Sequence, residues 1–122
     1  MSNDPAHDAE RTAEKTQAVA DIEGSIAAIE KENRQPDRWE RVFLVQAISM
    51  LFRGAYGLAR TDAALAVTAP SGRSLTPYLP TDPLYDRINI PMLRHALREA
   101  EAEPVRDYPH FGPIVFTGSD RK

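Results

Sequence analysis

The chain has 122 residues, 42% of them hydrophobic, and a net charge of −3. That length gives a single domain able to bury a core without disulfides or metal. Cysteine is absent, which excludes a disulfide framework and any thiolate chemistry. The charge is unevenly placed. Residues 1–37 carry nine acids and four bases, residues 38–98 four acids and eight bases, and residues 99–122 five acids and three bases. Two readings follow: the acidic first segment packs near the arginines of the centre, or those arginines form a surface for an anionic partner. The opening MSNDPAHDAERTAEK is polar and has no apolar h-region, so it does not read as a secretory signal, and the cytoplasm is the expected location.

Residues 1–7 show no apolar periodicity and read as disordered. A long helix is expected over 8–34. Within it Val19, Ile22, Ile26 and Ile29 are spaced three, four, three, which is an a/d seam over two heptads. The seam degrades on both sides, and a coiled coil asks for three or four heptads. Its expected partner is therefore the next helix, packed antiparallel through a short turn, with a self-associating helix pair as the rival.

That next helix, expected over 37–59, is the longest apolar run and holds the single tryptophan, Trp39. Pro36 ends what precedes it. Asp37, with Glu40 three residues on, forms a capping box. On a helical wheel Gln46, Ser49, Arg53 and Arg60 fall within about 80° of Arg38, and apolar residues cover most of the remainder. A helix this apolar sits inside a bundle or a membrane. Eleven uncharged residues, 42–52, are too few to span a bilayer, which asks for about 18–20. The expectation is a central helix in a soluble bundle. Gly54 and Gly57 lie three apart on neighbouring positions of one face; they mark either a close approach of another backbone or the point where the helix ends. A short helix near 62–68, capped by Thr61 or Asp62, is expected next.

Residues 70–87 hold four prolines and a glycine, and Pro77, Pro80 and Pro83 recur every three residues. That matches the turn of polyproline II. Such a segment is a docking ligand with Tyr78, Leu79, Leu84 and Tyr85 as anchors, or an extended connector with its aromatics laid on the bundle. A last helix is expected over 89–103, capped by Asn89, with Pro91 in the first turn and Ile88 and Leu93 as a hydrophobic staple. It stops before Pro104. Residues 104–117 contain Tyr108, Phe111, Ile114, Val115 and Phe116, while Pro109, Gly112 and Pro113 oppose a helix. They read as an extended segment docked on the bundle or on a partner. Residues 118–122 read as a mobile end.

The chemistry is mostly absence. His7, His95 and His110 are far apart, and no metal-ligand spacing is present. Neither a glycine-rich phosphate loop nor a GxSxG elbow occurs. A dyad of His95 or His110 with Asp107 can be drawn on paper, but a lone surface histidine is the commoner use of such a residue.

The fold class is thus all-α: a bundle of three main helices and a short fourth, in a single helical domain over 8–117. The expected function is a non-enzymatic interaction module without cofactor or metal: an adaptor, chaperone-like or regulatory subunit working through apolar helix faces. Two amphipathic stripes are few to cover the central helix, so a homodimer is expected, joined through Val19, Ile22, Ile26 and Ile29 or through Gly54 and Gly57. The alternative is an anion or nucleic-acid binder using Arg53, Arg60, Arg94 and Arg98.

Overall fold

The computed structural model describes residues 5–68 and 73–105. Among them are four α-helices, α1 (Pro5–Lys31), α2 (Arg38–Phe52), α3 (Tyr56–Thr68) and α4 (Ile90–Ala102), and no strand. Two 3-10 turns, Thr76–Tyr78 and Pro83–Arg87, lie between α3 and α4. The all-α reading stands. Against the disorder expected over residues 1–7, residues 5–7 are the first turn of α1; residues 1–4, the docked segment beyond Val105 and the mobile end over 118–122 fall outside the described residues.

Local chemistry sets each boundary. α1 begins at Pro5 and stops at Lys31, short of the expected 34, because Asn33 turns the chain with φ 54. Asparagine is among the few side chains that adopt this left-handed conformation readily. Pro36 is fully buried in the turn. The capping box that opens α2 is present in both directions: the Glu40 amide donates to Asp37 Oδ1 at 2.8 Å, and the Asp37 amide donates to Glu40 Oε1 at 2.8 Å. Asn89 caps α4 through the Met92 amide at 3.0 Å, with Pro91 in the first turn.

The expected helix over 37–59 is two helices. α2 ends at Phe52, and Gly54 adopts φ 84. The Gly54 amide donates to Leu51 O at 3.2 Å and the Ala55 amide to Met50 O at 2.9 Å. These are the two bonds of a Schellman motif, which satisfies the last carbonyls of a helix and needs a residue comfortable at positive φ. α3 then starts at Tyr56 rather than at Thr61 or Asp62, both of which lie inside it. Thr61 Oγ1 donates back to Gly57 O at 3.1 Å. Between α3 and α4 the prolines initiate 3-10 turns at Pro77 and Pro83 and do not build a polyproline helix. Asp82 caps the second turn through the Leu84 amide.

Cross-helix contacts give the direction of each element. Arg60 pairs with Asp21, and Ser25 Oγ donates to Ala63 O at 2.8 Å, so α3 runs parallel to α1. Trp39 Nε1 donates to Leu65 O at 2.7 Å, so α2 runs against α3. The start of α4 lies beside Glu30 through Arg94, and its end beside Lys15. α2 and α4 therefore both run against α1 and parallel to each other. α1 packs mainly on α3, then on α4, and less on α2. This differs from the expected pairing of the first helix with the central one. The reason is size: Ser25 of α1 meets Ala63 of α3, and Ala18, Ala59, Ala63 and Ala66 are all fully buried, and small side chains let two helices approach closely.

The core joins Val19, Ile22, Ile26 and Ile29 of α1 to Leu44, Ile48 and Leu51 of α2, Tyr56 of α3, and Ile90, Leu93 and Leu97 of α4. Part of the cover expected to be lacking for the central helix comes from α3, while Phe43, Val45, Met50 and Phe52 of α2 stay only partly buried. Over its 13 residues α3 contributes the buried Tyr56, Ala59, Ala63 and Ala66.

A candidate docking groove between α2 and α4

α2 and α4 do not close completely on each other. Val45, Ile48 and Phe52 on α2 face Met92, Leu93 and Ala96 on α4, with Ile88 at the upper end, around a groove of about 290 Å³. Ser49 is the one polar residue on its wall. The spacing three, four in Val45, Ile48 and Phe52 places them on one α2 face, and Met92 and Ala96 are likewise one turn apart. Met92 is 48% exposed. Phe52, Val45 and Ala96 are half-buried and rest on the core. Ile88 and Leu93, expected as the staple of α4, both line this groove.

Most of the charged side chains described around the groove are paired with one another. Glu40 is the most enclosed acid, with a side chain that is 0% exposed. Arg34 grips it with two parallel bonds of 2.7 and 2.6 Å, and Arg73 adds a third at 2.7 Å. Burial pushes the Glu40 carboxyl up, but Arg34, the Asp37 amide and Arg73 outweigh it and hold the group below the usual carboxylate range. Arg73 Nε also lies 3.4 Å from Asp37 Oδ2. The cluster ties the α1–α2 turn to the segment after α3. It is a clamp of opposite charges in which the buried Arg73 Nε alone lacks a hydrogen-bond partner among the described residues.

The arginines of the anion reading are distributed differently from the sequence expectation. Arg53 and Arg60 do not share a helix face, because the chain reverses between them. Arg60 binds Asp21 at 2.6 Å and lowers its carboxyl. Arg94 bridges Glu23 and Glu30 at 2.8 and 2.9 Å, and its guanidinium is raised by Glu30 and Glu23. Arg98 pairs with Glu23 and with Glu101, both at 2.7 Å. Arg53 has no ion-pair partner among the described residues. The acids of α1 and the central arginines thus meet within the chain. A polar crevice lined by Glu30, Asn33, Arg34 and Arg94 lies at the upper end of α4, but both of its arginines are already committed to carboxylates.

The residues expected to carry an interface are also placed. Ile22, Ile26 and Ile29 are fully buried and Val19 nearly so, all within the chain's own core. Gly54 serves the Schellman turn. Gly57 is exposed in the first turn of α3, and a Cβ added there meets nothing. Lys15 is buried: its Nζ donates to Glu101 O at 3.0 Å and to Glu103 O, capping the carbonyls at the end of α4 from α1. Arg11 does the same for the α2–α3 turn, donating to Gly54 O at 2.6 Å while its guanidinium lies 4.6 Å over the Tyr56 ring. In the connector Tyr78 is 84% and Leu84 63% exposed, whereas Leu79 and Tyr85 are half-buried.

Among the described residues no group of three or more His, Cys, Asp or Glu is placed to hold a metal ion. No described helix is long and apolar enough to cross a membrane. No protein-family model, no curated protein and no solved structure matches the chain.

Sequence reasoning missed the groove. Its signal was present as Val45–Ile48–Phe52 and Ile88–Met92–Ala96, two apolar lines at helical spacing. In a chain whose central helix is apolar nearly all round, such lines cannot be told from core positions until the packing is known.

Proposed function

We propose that this protein is a small interaction module whose docking surface is the groove between α2 and α4, and that it takes an amphipathic helix of a protein partner there. The observation that supports this is the contrast between the groove and its surroundings. Its lining is apolar but for Ser49, and the neighbouring faces of α1 and α4 are laced with ion pairs. Two parallel helices with an open seam are a common receptor for a third helix, whose side chains at i, i+3 or i+4 and i+7 fill the gap. The mode of action is binding, in the manner of an adaptor, chaperone-like or regulatory subunit. Assembly with a second copy through the same groove is the homomeric form of this reading.

Selection from a displayed library of random peptides tests the proposal. Binders with apolar residues at helical spacing, lost on Met92→Glu, are expected. Glutamate near a helix start is electrostatically favourable, so this substitution alters the groove without opposing α4. Enrichment of acidic peptides, lost when Arg53 and Arg60 are reversed to glutamate, would contradict it and favour the anion reading.

A further inference from the structure

The groove between α2 and α4 is apolar along its walls and unequal at its ends. At the upper end Arg41 donates to Ile88 O at 2.9 Å, and Arg38 pairs with Asp86. Arg87, directly before Ile88, is exposed and has no ion-pair partner among the described residues. At the lower end, beside Phe52 and Ala96, the α4 stripe of Met92 and Ala96 continues to Glu99. Glu99 is exposed and pairs with the equally exposed His95. Arg53 follows Phe52 on the α2 side. Near the upper end a further apolar side chain is exposed. A 3-10 turn repeats every three residues, so Leu84 and Arg87 share one side of Pro83–Arg87, and this turn packs on α2.

A second copy can face this groove about a two-fold axis in two ways. With the axis along the helices, upper end meets upper end, and the Arg38, Arg41 and Arg87 sides oppose one another. With the axis across the helices, α4 lies antiparallel to α4 of the second copy, and α2 to its α2. Glu99 then comes opposite Arg87 of the second copy, twice by symmetry. Met92, close to midway between positions 87 and 99, meets its own counterpart at the axis. Phe52 comes opposite Leu84, and Arg53 opposite the side that carries Asp86.

We propose that the occupant of the groove is a second copy of this chain in the antiparallel arrangement, with Glu99 of each copy against Arg87 of the other. Like charges opposed across an interface are costly, which selects this arrangement over the parallel one. The apolar walls supply the affinity, since exposed ion pairs add little, and the charged ends set the direction. This rests on the groove being the docking surface, as proposed above.

Sedimentation velocity of the full chain over a concentration series, with native mass spectrometry to tell variants apart, tests the pairing. A concentration-dependent dimer is expected, lost in Met92→Glu, which sets two carboxylates at the axis. Glu99→Arg alone and Arg87→Glu alone each place like charges together at two points, and each is expected to weaken the dimer about tenfold. Mixed one to one, the two variants oppose Arg with Glu at one point and Glu with Arg at the other, so a heterodimer of natural strength is expected. All three positions are exposed, so the substitutions spare the core. A monomer throughout the series overturns the proposal, as does a dimer indifferent to Met92→Glu. Single reversals without effect, or a mixture no stronger than its components, overturn the antiparallel arrangement. A monomeric chain that binds selected helical peptides sinks the pairing and leaves the docking function standing. A dimer with the expected pattern for which no peptide binder can be selected does the reverse.

Discussion

Gly54 reverses the chain between α2 and α3 with a single left-handed residue. Alanine there must adopt φ 84, so Gly54→Ala is expected to lower unfolding free energy by about 1–2 kcal/mol. Gly57→Ala and Gly24→Ala meet no neighbour and replace glycine within helices, so each is expected to be neutral or to add about 0.5–1 kcal/mol. Urea midpoints of the three variants check this contrast. Glu40 gives a second residue-scale prediction. Removing its charge leaves the part-exposed Arg34 and Arg73 facing each other over an enclosed amide, and Glu40→Gln should cost about 1–3 kcal/mol after screening by solvent. The folded-state carboxyl is held low, so its contribution is complete above the ordinary glutamate value of about 4.3 and is lost as pH falls through the lower folded value. In Glu40→Gln the acid limb of the stability curve should flatten. An unchanged limb would mean the clamp does not survive in solution. Asp62 has the opposite sign. Burial raises its carboxyl, so its ionisation weakens the fold as pH rises through that value. Asp62→Asn should raise the melting temperature at neutral pH and leave it nearly unchanged at low pH.

At the scale of elements, what the sequence shows depends on how local the cause is. The capping box of Asp37 and Glu40 and the Asn89 cap are three-residue chemistry, and both were legible. Helix 89–103 was legible for the same reason: a cap at one end, Pro104 beyond the other and a clear apolar face between. The α2–α3 break was half legible. Two glycines were visible, but whether they marked a close approach or a terminus depended on which face Arg53–Ala55 turned toward the core. The wheel that put Arg53 and Arg60 on one stripe assumed that the helix continued. The connector was misjudged because three-residue proline spacing fits both polyproline II and successive 3-10 turns; Asp82 as a cap for the second turn decides for the latter. The pairing of α1 with α3 could not be seen either, since it is set by alanines, which carry little hydrophobic signal of their own. That interface can be tested at Ser25: Ser25→Leu should be strongly destabilising, because the hydroxyl sits in a close contact with Ala63 O and a larger side chain has no room.

At the scale of the molecule, α3 is what lets one chain bury the isoleucines of α1 and the apolar sides of α2. Ile26 is fully enclosed in that core, and Ile26→Ala should cost about 2–5 kcal/mol, measured by chemical unfolding. With the isoleucine seam inside and most cross-helix arginines paired, the partly open apolar seam between α2 and α4 is the surface on which the functional account rests. The measurement that tests it most directly is titration calorimetry of a library-selected helical peptide with three proteins: the natural chain, Met92→Glu, and Arg53→Glu with Arg60→Glu. Affinity about tenfold weaker for Met92→Glu, about 1.4 kcal/mol, is expected, with little change with salt or with the arginine reversals. Equal affinity for Met92→Glu, or binding that collapses with the arginines, would contradict it.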